Sequence, residues 1–207
     1  MSKVRVKICG IRTFVEASAA VEQGADALGF NFWTKSPRYL APDEARKIIH
    51  RLPPFVSCVG VFVNESAVRI NQIVEQTGIN AVQLHGDETP EFIGDLLPVK
   101  IIKAFRVGED FDINVLTRFS ASAFLLDAKV KGEYGGTGMR FDWRIAIEAQ
   151  KIAPIILAGG LTSANVSEAI QFVRPFAVDV CSGVEAEPGR KDLQKLREFL
   201  NKVRQFS

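Results

Sequence analysis

Hydrophobic residues follow two alternating patterns along the chain. Short β-rich runs alternate with longer segments in which apolar residues recur every three or four positions, as in amphipathic helices. Most of the short runs are apolar on one face and at least half apolar on the other, which is typical of parallel strands covered by helices. The predicted strands are residues 4–9, 27–32, 56–63, 81–85, 100–105, 123–127, 154–158 and 177–181.

Residues that start or end helices occur between these strands. Thr13 and Glu16 have the spacing of a capping box, and Ser66 and Gly78 bracket the third helical segment. Further predicted starts are Pro42 for the second helix, Thr89-Pro90 for the fourth, Asp142 for the sixth, Thr162 or Ser163 for the seventh, and Asp192 for the last. The fifth segment, 112–119, is short and rich in β-branched residues, so we expect a weak or missing helix there.

Eight strand-then-helix units in about 200 residues predict an α/β fold, a (β/α)8 TIM barrel. We expect one domain covering residues 1–207. An open, doubly wound sheet is the alternative. The barrel is preferred because the units number eight, their spacing is steady, and no G-x-G-x-x-G motif follows the first strand.

Composition excludes several classes of function. The chain has 207 residues, 47% hydrophobic, and its 26 basic and 24 acidic residues leave a net charge of +2, so we expect no nucleic-acid partner. No run of 18 or more apolar residues occurs, and we expect no membrane span. The three cysteines lie far apart, which predicts neither a disulfide framework nor a zinc site and suggests a reducing, cytoplasmic location.

The active site of such a barrel lies at the carboxyl ends of its strands. Alternation along the first, fourth, fifth, sixth and eighth strands points a set of polar side chains to that end of the barrel interior: Lys7, Cys9, His85, Lys103, Asp127, Asp179 and Cys181. Lys7 and Asp179 lie on neighbouring strands and are either a structural ion pair or part of the site. The third cysteine, Cys58, lies mid-strand and is expected to serve packing alone.

Glycines occur in the loops after the last three strands, at 135–138, at Gly159-Gly160 and at Ser182-Gly183. Glycine lets backbone N–H groups approach an anion, and the loops after strands seven and eight are the usual phosphate site of such barrels. The loop at 135–138 is long enough to act as a lid. In the loop after the second strand, Arg38 can bind a carboxylate with two parallel hydrogen bonds.

Short motifs along nearly the whole chain resemble those of the phosphoribosylanthranilate isomerase family. They are KICGI at 7–11, SPR at 36–38, VQLHG at 82–86, LD at 126–127, GGTG at 135–138, FDW at 141–143, LAGGL at 157–161 and DVCSGVE at 179–185. The resemblance implies an Amadori rearrangement in tryptophan biosynthesis, from N-(5-phosphoribosyl)anthranilate to 1-(2-carboxyphenylamino)-1-deoxyribulose 5-phosphate. It implies neither a cofactor nor a metal.

The resemblance also implies a role for each site residue. Cys9 is the general base, Asp127 is the general acid, and Arg38 holds the carboxylate of the anthranilate ring. His85 and Asp179 are counted among the substrate-binding residues. The phosphate is held by Gly159, Gly160, Ser182 and Gly183.

One departure from the family lies in the site, where the family more often has Ser than Cys181. The competing hypothesis is a phosphosugar-binding barrel altered in catalysis, but both Cys9 and Asp127 are present. The isomerase of histidine synthesis does the same chemistry with an aspartate at the end of its first strand, where this chain has Cys9. The partner is therefore expected to be a small phosphorylated substrate, and the chain either a monomer or a homodimer.

Overall fold

The computed structural model describes residues 3–108, 110–128 and 142–206, so the predicted lid at 135–138 lies outside the described residues. Within these ranges, parallel strands pair in chain order and close into a barrel through β1 and β8. The barrel strands are β1 Arg5–Cys9, β2 Ala27–Asn31, β3 Ser57–Phe62, β4 Ala81–Leu84, β5 Lys100–Val107, β6 Ala123–Ala128, β7 Ile155–Leu157 and β8 Ala177–Val180. The predicted TIM-barrel fold is confirmed.

Helices follow most of the strands. The α-helices are α1 Phe14–Glu22, α2 Pro42–Ile49, α3 Ala67–Thr77, α4 Arg144–Ala149, α5 Val166–Val173 and α6 Leu193–Arg204. After β4 and β5 the described chain forms only 3₁₀ segments, Glu91–Asp95 and Ile113–Arg118. The weak fifth helix is thus confirmed, whereas the prediction of a full fourth helix is wrong, because a five-residue turn fills the short connection from β4 to β5.

Side chains cap the helices largely where the sequence predicts. The hydroxyl of Thr13 accepts from the backbone N–H of Glu16, whose carboxylate accepts from the N–H of Thr13 in return. Ser66 caps α3, and Gly78 ends it in the left-handed conformation at φ 77°. Asp192 caps α6 by accepting from two backbone N–H groups of its first turn.

The predicted cap of α5 is wrong. Neither Thr162 nor Ser163 caps it, because the chain forms a turn first and the residue before the helix is Asn165. The buried side chain of Asn165 accepts from the N–H of Thr162 at 2.9 Å and donates to the carbonyl of Gly160 at 2.8 Å. Asn165 therefore holds the shape of the glycine loop after β7.

The strands separate two apolar layers, one inside the barrel and one outside it. The interior of the barrel holds mainly small and branched side chains, among them Val59, Ala81, Ile102, Leu125 and Ile156. A larger outer core lies between the strands and the helices. These side chains fill the lower interior of the barrel, and its polar inward-facing residues lie above them, at the carboxyl ends of the strands.

Two further features complete the described fold. Beyond β8 the chain forms an antiparallel hairpin of β9 Glu185–Glu187 and β10 Arg190–Lys191. None of the helices in the described ranges has the length and apolar character needed to cross a membrane.

Candidate active site

Two adjoining cavities open at the carboxyl ends of the strands. The larger is lined by the predicted polar side chains of four strands, Cys9, His85, Asp127 and Asp179, with Arg38 at its side. The smaller is lined by the predicted phosphate loops, Gly159, Gly160, Ser182 and Gly183. Asp127, Asp179 and Cys181 line both cavities, so a ligand can extend from one into the other.

Asp179, which lines the larger cavity, forms a buried ion pair with Lys7. Lys7 and Asp179 lie opposite each other on β1 and β8, and the Lys7 Nζ to Asp179 Oδ1 distance is 2.9 Å. Both side chains are buried. Burial lowers the pKa of Lys7, but the charges of Asp179 and Cys9 outweigh that effect and raise it above its ordinary value. Lys7 is therefore a fixed positive charge beneath Cys9.

Cys9 and Cys181 lie side by side at the ends of β1 and β8, because each follows directly on the paired residues Ile8 and Val180. A hydrogen bond from the Cys181 thiol and the positive charge of Lys7 lower the pKa of Cys9, against the opposing effect of burial. The same hydrogen bond, together with burial, raises the pKa of Cys181. The interaction of the two thiols therefore favours ionisation at Cys9 over ionisation at Cys181.

Glycine at position 29 makes room for this thiol. A Cβ on Gly29 would lie 2.9 Å from Cys9 Sγ and 3.1 Å from Lys7 Nζ. Any larger residue at position 29 would displace both groups. The third cysteine, Cys58, is buried outside the site, where burial raises its pKa to about 11, as expected of a packing residue.

Asp127 lies across the mouth of the barrel from Cys9, because β6 is three strands from β1 around the closed sheet. One carboxylate oxygen accepts from the backbone N–H of Ala128 at 2.9 Å. The other lies 3.7 Å from Nε2 of His85, beyond hydrogen-bond distance. The two predicted catalytic groups therefore approach one space from opposite walls.

His85 is held as a neutral imidazole. Its Nδ1 lies 2.8 Å from the side-chain nitrogen of Gln83. Burial and the charges of Lys7, Lys103 and Arg106 lower the pKa of His85 to about 3. Its buried Nε2 has no hydrogen-bond partner among the described residues. A bound ligand can therefore use this nitrogen.

The two phosphate loops touch each other closely. Gly159 and Gly160 adopt positive φ angles of 84° and 63°. A Cβ on Gly183 would lie only 1.9 Å from the carbonyl oxygen of Leu161. The smaller cavity thus has a wall of backbone without side chains, which is the property that an anion-binding loop requires.

Arg38 has a protein partner that the sequence analysis missed. Its Nε donates to Glu185 Oε1 at 2.9 Å and its Nη2 donates to Glu185 Oε2 at 2.8 Å. Lys191, on the same hairpin as Glu185, donates to Glu185 Oε1 at 3.0 Å. The only signal in the sequence was the acidic residue at the end of the motif at 179–185.

Lys103 does not point into the barrel, so that prediction is wrong. It pairs in register with the outward residue Leu84. Its buried Nζ lies 2.8 Å from Glu88 Oε2 and donates to the carbonyl of Gly86 at 2.7 Å. On β5, Arg106 has the inward parity instead and lies opposite Asp127 in the register. The sequence pattern did not predict this residue. Among the described residues, no group of three His, Cys, Asp or Glu side chains could hold a metal ion.

Comparison with known proteins gives one consistent result. The family model described as N-(5'-phosphoribosyl)anthranilate isomerase matches residues 6–202. A Geobacter sulfurreducens protein of that name is 49% identical over 97% of this chain and 98% of its own. The crystal structure of phosphoribosyl anthranilate isomerase from Thermus thermophilus, 35% identical, superposes with a TM-score of 0.91 and covers 99% of this chain and all of that one.

A further solved structure contains a ligand. It is a phosphoribosyl anthranilate isomerase in complex with reduced 1-(o-carboxyphenylamino)-1-deoxyribulose 5-phosphate. It is 41% identical to this chain, has a TM-score of 0.84, and covers 98% of this chain and 99% of that one.

Proposed function

The chain belongs to the N-(5'-phosphoribosyl)anthranilate isomerase family, and on that premise we propose that Cys9 and Asp127 are its catalytic base and acid. The enzyme catalyses the Amadori rearrangement of N-(5'-phosphoribosyl)anthranilate to 1-(2-carboxyphenylamino)-1-deoxyribulose 5-phosphate in tryptophan biosynthesis. The observation that carries the proposal is that the two side chains line one cavity from opposite walls.

The reaction needs two proton transfers at different atoms of the sugar. Asp127 donates a proton to the oxygen of the ribose ring as the C1–O bond breaks, which leaves a C=N bond between C1 and the amino nitrogen of the anthranilate. Cys9 then removes the proton from C2, and the electron pair moves into a C1=C2 bond as the nitrogen becomes neutral. The enolamine takes a proton at C1 and loses the proton of its C2 hydroxyl group, which gives the C2 ketone of the product.

Cys9 suits the second transfer because its environment favours the thiolate. The hydrogen bond from Cys181 and the charge of Lys7 lower its pKa. A base must be deprotonated near neutral pH if it is to act there. His85 does not compete for this role, because a pKa of about 3 makes its imidazole a weak base.

The two anionic ends of the substrate fit the two cavities. We assign the phosphate to Gly159, Gly160, Ser182 and Gly183 in the smaller cavity, where the backbone is free of side chains. The ring carboxylate then lies in the larger cavity at Arg38. The ribose chain between them would contact His85 and Asp179, whose side chains line that cavity.

Turnover of a fluorescent substrate tests the catalytic pair. The anthranilate signal should fall as the wild-type protein turns over substrate, and Cys9→Ala and Asp127→Asn should each lower kcat by about 10²–10⁴-fold. Cys58→Ala is the matched control, since it removes a buried thiol outside the site. Near-normal turnover by Cys9→Ala would overturn the assignment of the base. Complementation of a tryptophan auxotroph provides a second test of each variant.

Three further proposals concern the domain organisation, the cellular location and the oligomeric state of the protein. The single closed barrel supports one domain over residues 1–207. The free cysteines at 9, 58 and 181 support a cytoplasmic location. A Thermotoga maritima relative is described as dimeric, and Phe55 of this chain is 96% exposed, so of the two predicted states we favour the homodimer. Sedimentation of the wild type and of Phe55→Ser would decide between them.

A further inference from the structure

Among the residues that the structure describes, the guanidinium group of Arg38 is hydrogen-bonded along one of its edges. Glu185 accepts from Nε and Nη2, the side edge of the planar group. The Nη1 and Nη2 end carries further N–H groups in a second fork of the same kind. Arg38 lines the cavity that also contains Cys9. One edge is therefore bound to protein while the other remains suited to a second carboxylate.

Glu185 is itself held by a buried cation. The side chain of Lys191 is completely buried and donates both to Glu185 Oε1 at 3.0 Å and to the carbonyl of Cys181 at 3.1 Å. Lys195 donates to the backbone carbonyl of Glu185 at 2.9 Å. The side chain of Glu185 is 4% exposed, so it has little freedom to turn away from Arg38.

The charges of this group explain why a second carboxylate can bind beside the first. Burial would raise the pKa of Glu185, but hydrogen bonds from Arg38 and the charge of Lys191 lower it below its ordinary value. The carboxylate is therefore ionised. Two cations surround this single anion, and the cluster keeps a net positive charge toward the cavity. Without Lys191, Glu185 would cancel the charge of Arg38.

We propose that Glu185 and Lys191 are positioning residues that orient the free edge of Arg38 toward the ring carboxylate and so make the enzyme selective for an anthranilate over an uncharged aniline. This inference rests on the proposed function, in which Arg38 binds that carboxylate. Fixing a long side chain in its binding geometry before the ligand arrives removes the entropy that would otherwise be lost on binding. Neither Glu185 nor Lys191 lines the cavity that contains Cys9 and Asp127.

The test compares two substrates that differ only in the ring carboxylate, N-(5-phosphoribosyl)anthranilate and N-(5-phosphoribosyl)aniline. Glu185→Gln keeps the shape of the side chain but replaces one of its two acceptor oxygens with an NH2 group that cannot accept from Arg38, so it disrupts the orientation of the guanidinium group. We expect it to raise KM for the anthranilate substrate about tenfold or more, while kcat/KM for the aniline substrate changes less than about threefold. Lys191→Met should reduce the same selectivity by removing the compensating charge.

A control variant is available on the same strand. Glu187 is exposed and pairs with Arg190 at 2.7 Å, so Glu187→Gln removes an ion pair of the hairpin away from the cavity. It should leave the ratio of kcat/KM for the two substrates unchanged. A structural role of Glu185 would lower the rates with both substrates alike, or lower the melting temperature without changing this ratio, and either result would overturn the inference.

Arg38→Met, measured in parallel, distinguishes a failure of the carboxylate site from a failure of the positioning role. If Arg38→Met affects both substrates equally, the proposed carboxylate site itself is wrong. If Arg38→Met abolishes the preference for the anthranilate while Glu185→Gln preserves it, only the positioning role fails. If Lys191→Met does not fold, the isosteric Glu185→Gln still decides the matter.

Discussion

Replacing Gly183 with alanine would force the two phosphate loops apart. The new Cβ would stand 1.9 Å from the carbonyl oxygen of Leu161, whereas real Cβ contacts essentially never fall below 3.0 Å. The loops must therefore separate by at least about 1.1 Å, and a displacement of about 1 Å in a positioned group can reduce a rate about a hundredfold. Overpacking of this kind also costs about 1–3 kcal/mol of stability.

The assay for this variant is inhibition by inorganic phosphate, which probes the smaller cavity without the anthranilate ring. We expect Gly183→Ala to raise both the phosphate Ki and the substrate KM by about 10–100-fold, with a smaller effect on kcat. Gly94→Ala is the matched control, because no atom lies within 4 Å of a Cβ at Gly94. A folded Gly183→Ala protein with unchanged Ki and KM would show that the phosphate does not bind between these loops.

Other substitutions test the remaining parts of the site. Gly159→Ala would put a Cβ 3.0 Å from Asp127 Oδ1 at a φ of 84°, so kcat should fall more than KM rises; unchanged turnover would separate this loop from the acid. Cys181→Ala removes the hydrogen bond that lowers the pKa of Cys9, so this pKa should rise. Because a base acts above its pKa, the acid limb of the kcat/KM profile should then move to higher pH. Cys181→Ser should leave activity nearly unchanged. An unmoved limb in the alanine variant would refute that cause. Arg38→Met should raise KM about 10–150-fold and lower turnover, and Arg38→Lys should restore binding only in part, both measured against the aniline substrate.

On strands with one apolar face and one polar face, the alternation of side chains predicts which residues point into the site. On β1 and β8, apolar residues on the outer face leave Lys7, Cys9 and Asp179 on the inner face, and the structure places them there. The strand count and most helix caps were predictable for the same reason, since these signals are local. The functional side chains of these two strands are readable from neighbouring residues alone.

Alternation fails on β5, where both faces are apolar. Ile102 and Ala104 line the barrel while Ile101 and Phe105 face the helices, so the pattern does not tell which way Lys103 points. A buried lysine on the outer face is tolerated because Glu88 supplies a carboxylate from the loop after β4. That compensation comes from a loop 15 residues away in the sequence and leaves no trace in the pattern of the strand itself.

The charged cluster of Arg38, Glu185 and Lys191, where we place the ring carboxylate, also depends on closure of the barrel. Arg38 and Glu185 are 147 residues apart, and they meet because β8 pairs with β1 and brings the final hairpin beside the loop after β2. Read alone, Arg38 is a lone cation on a surface loop, for which solvent exposure is the ordinary expectation. With Glu185 and the buried Lys191 in place, it becomes one member of a rigid cluster whose remaining positive charge faces the cavity. The specificity that we assign to Arg38 therefore depends on contacts made by both ends of the chain.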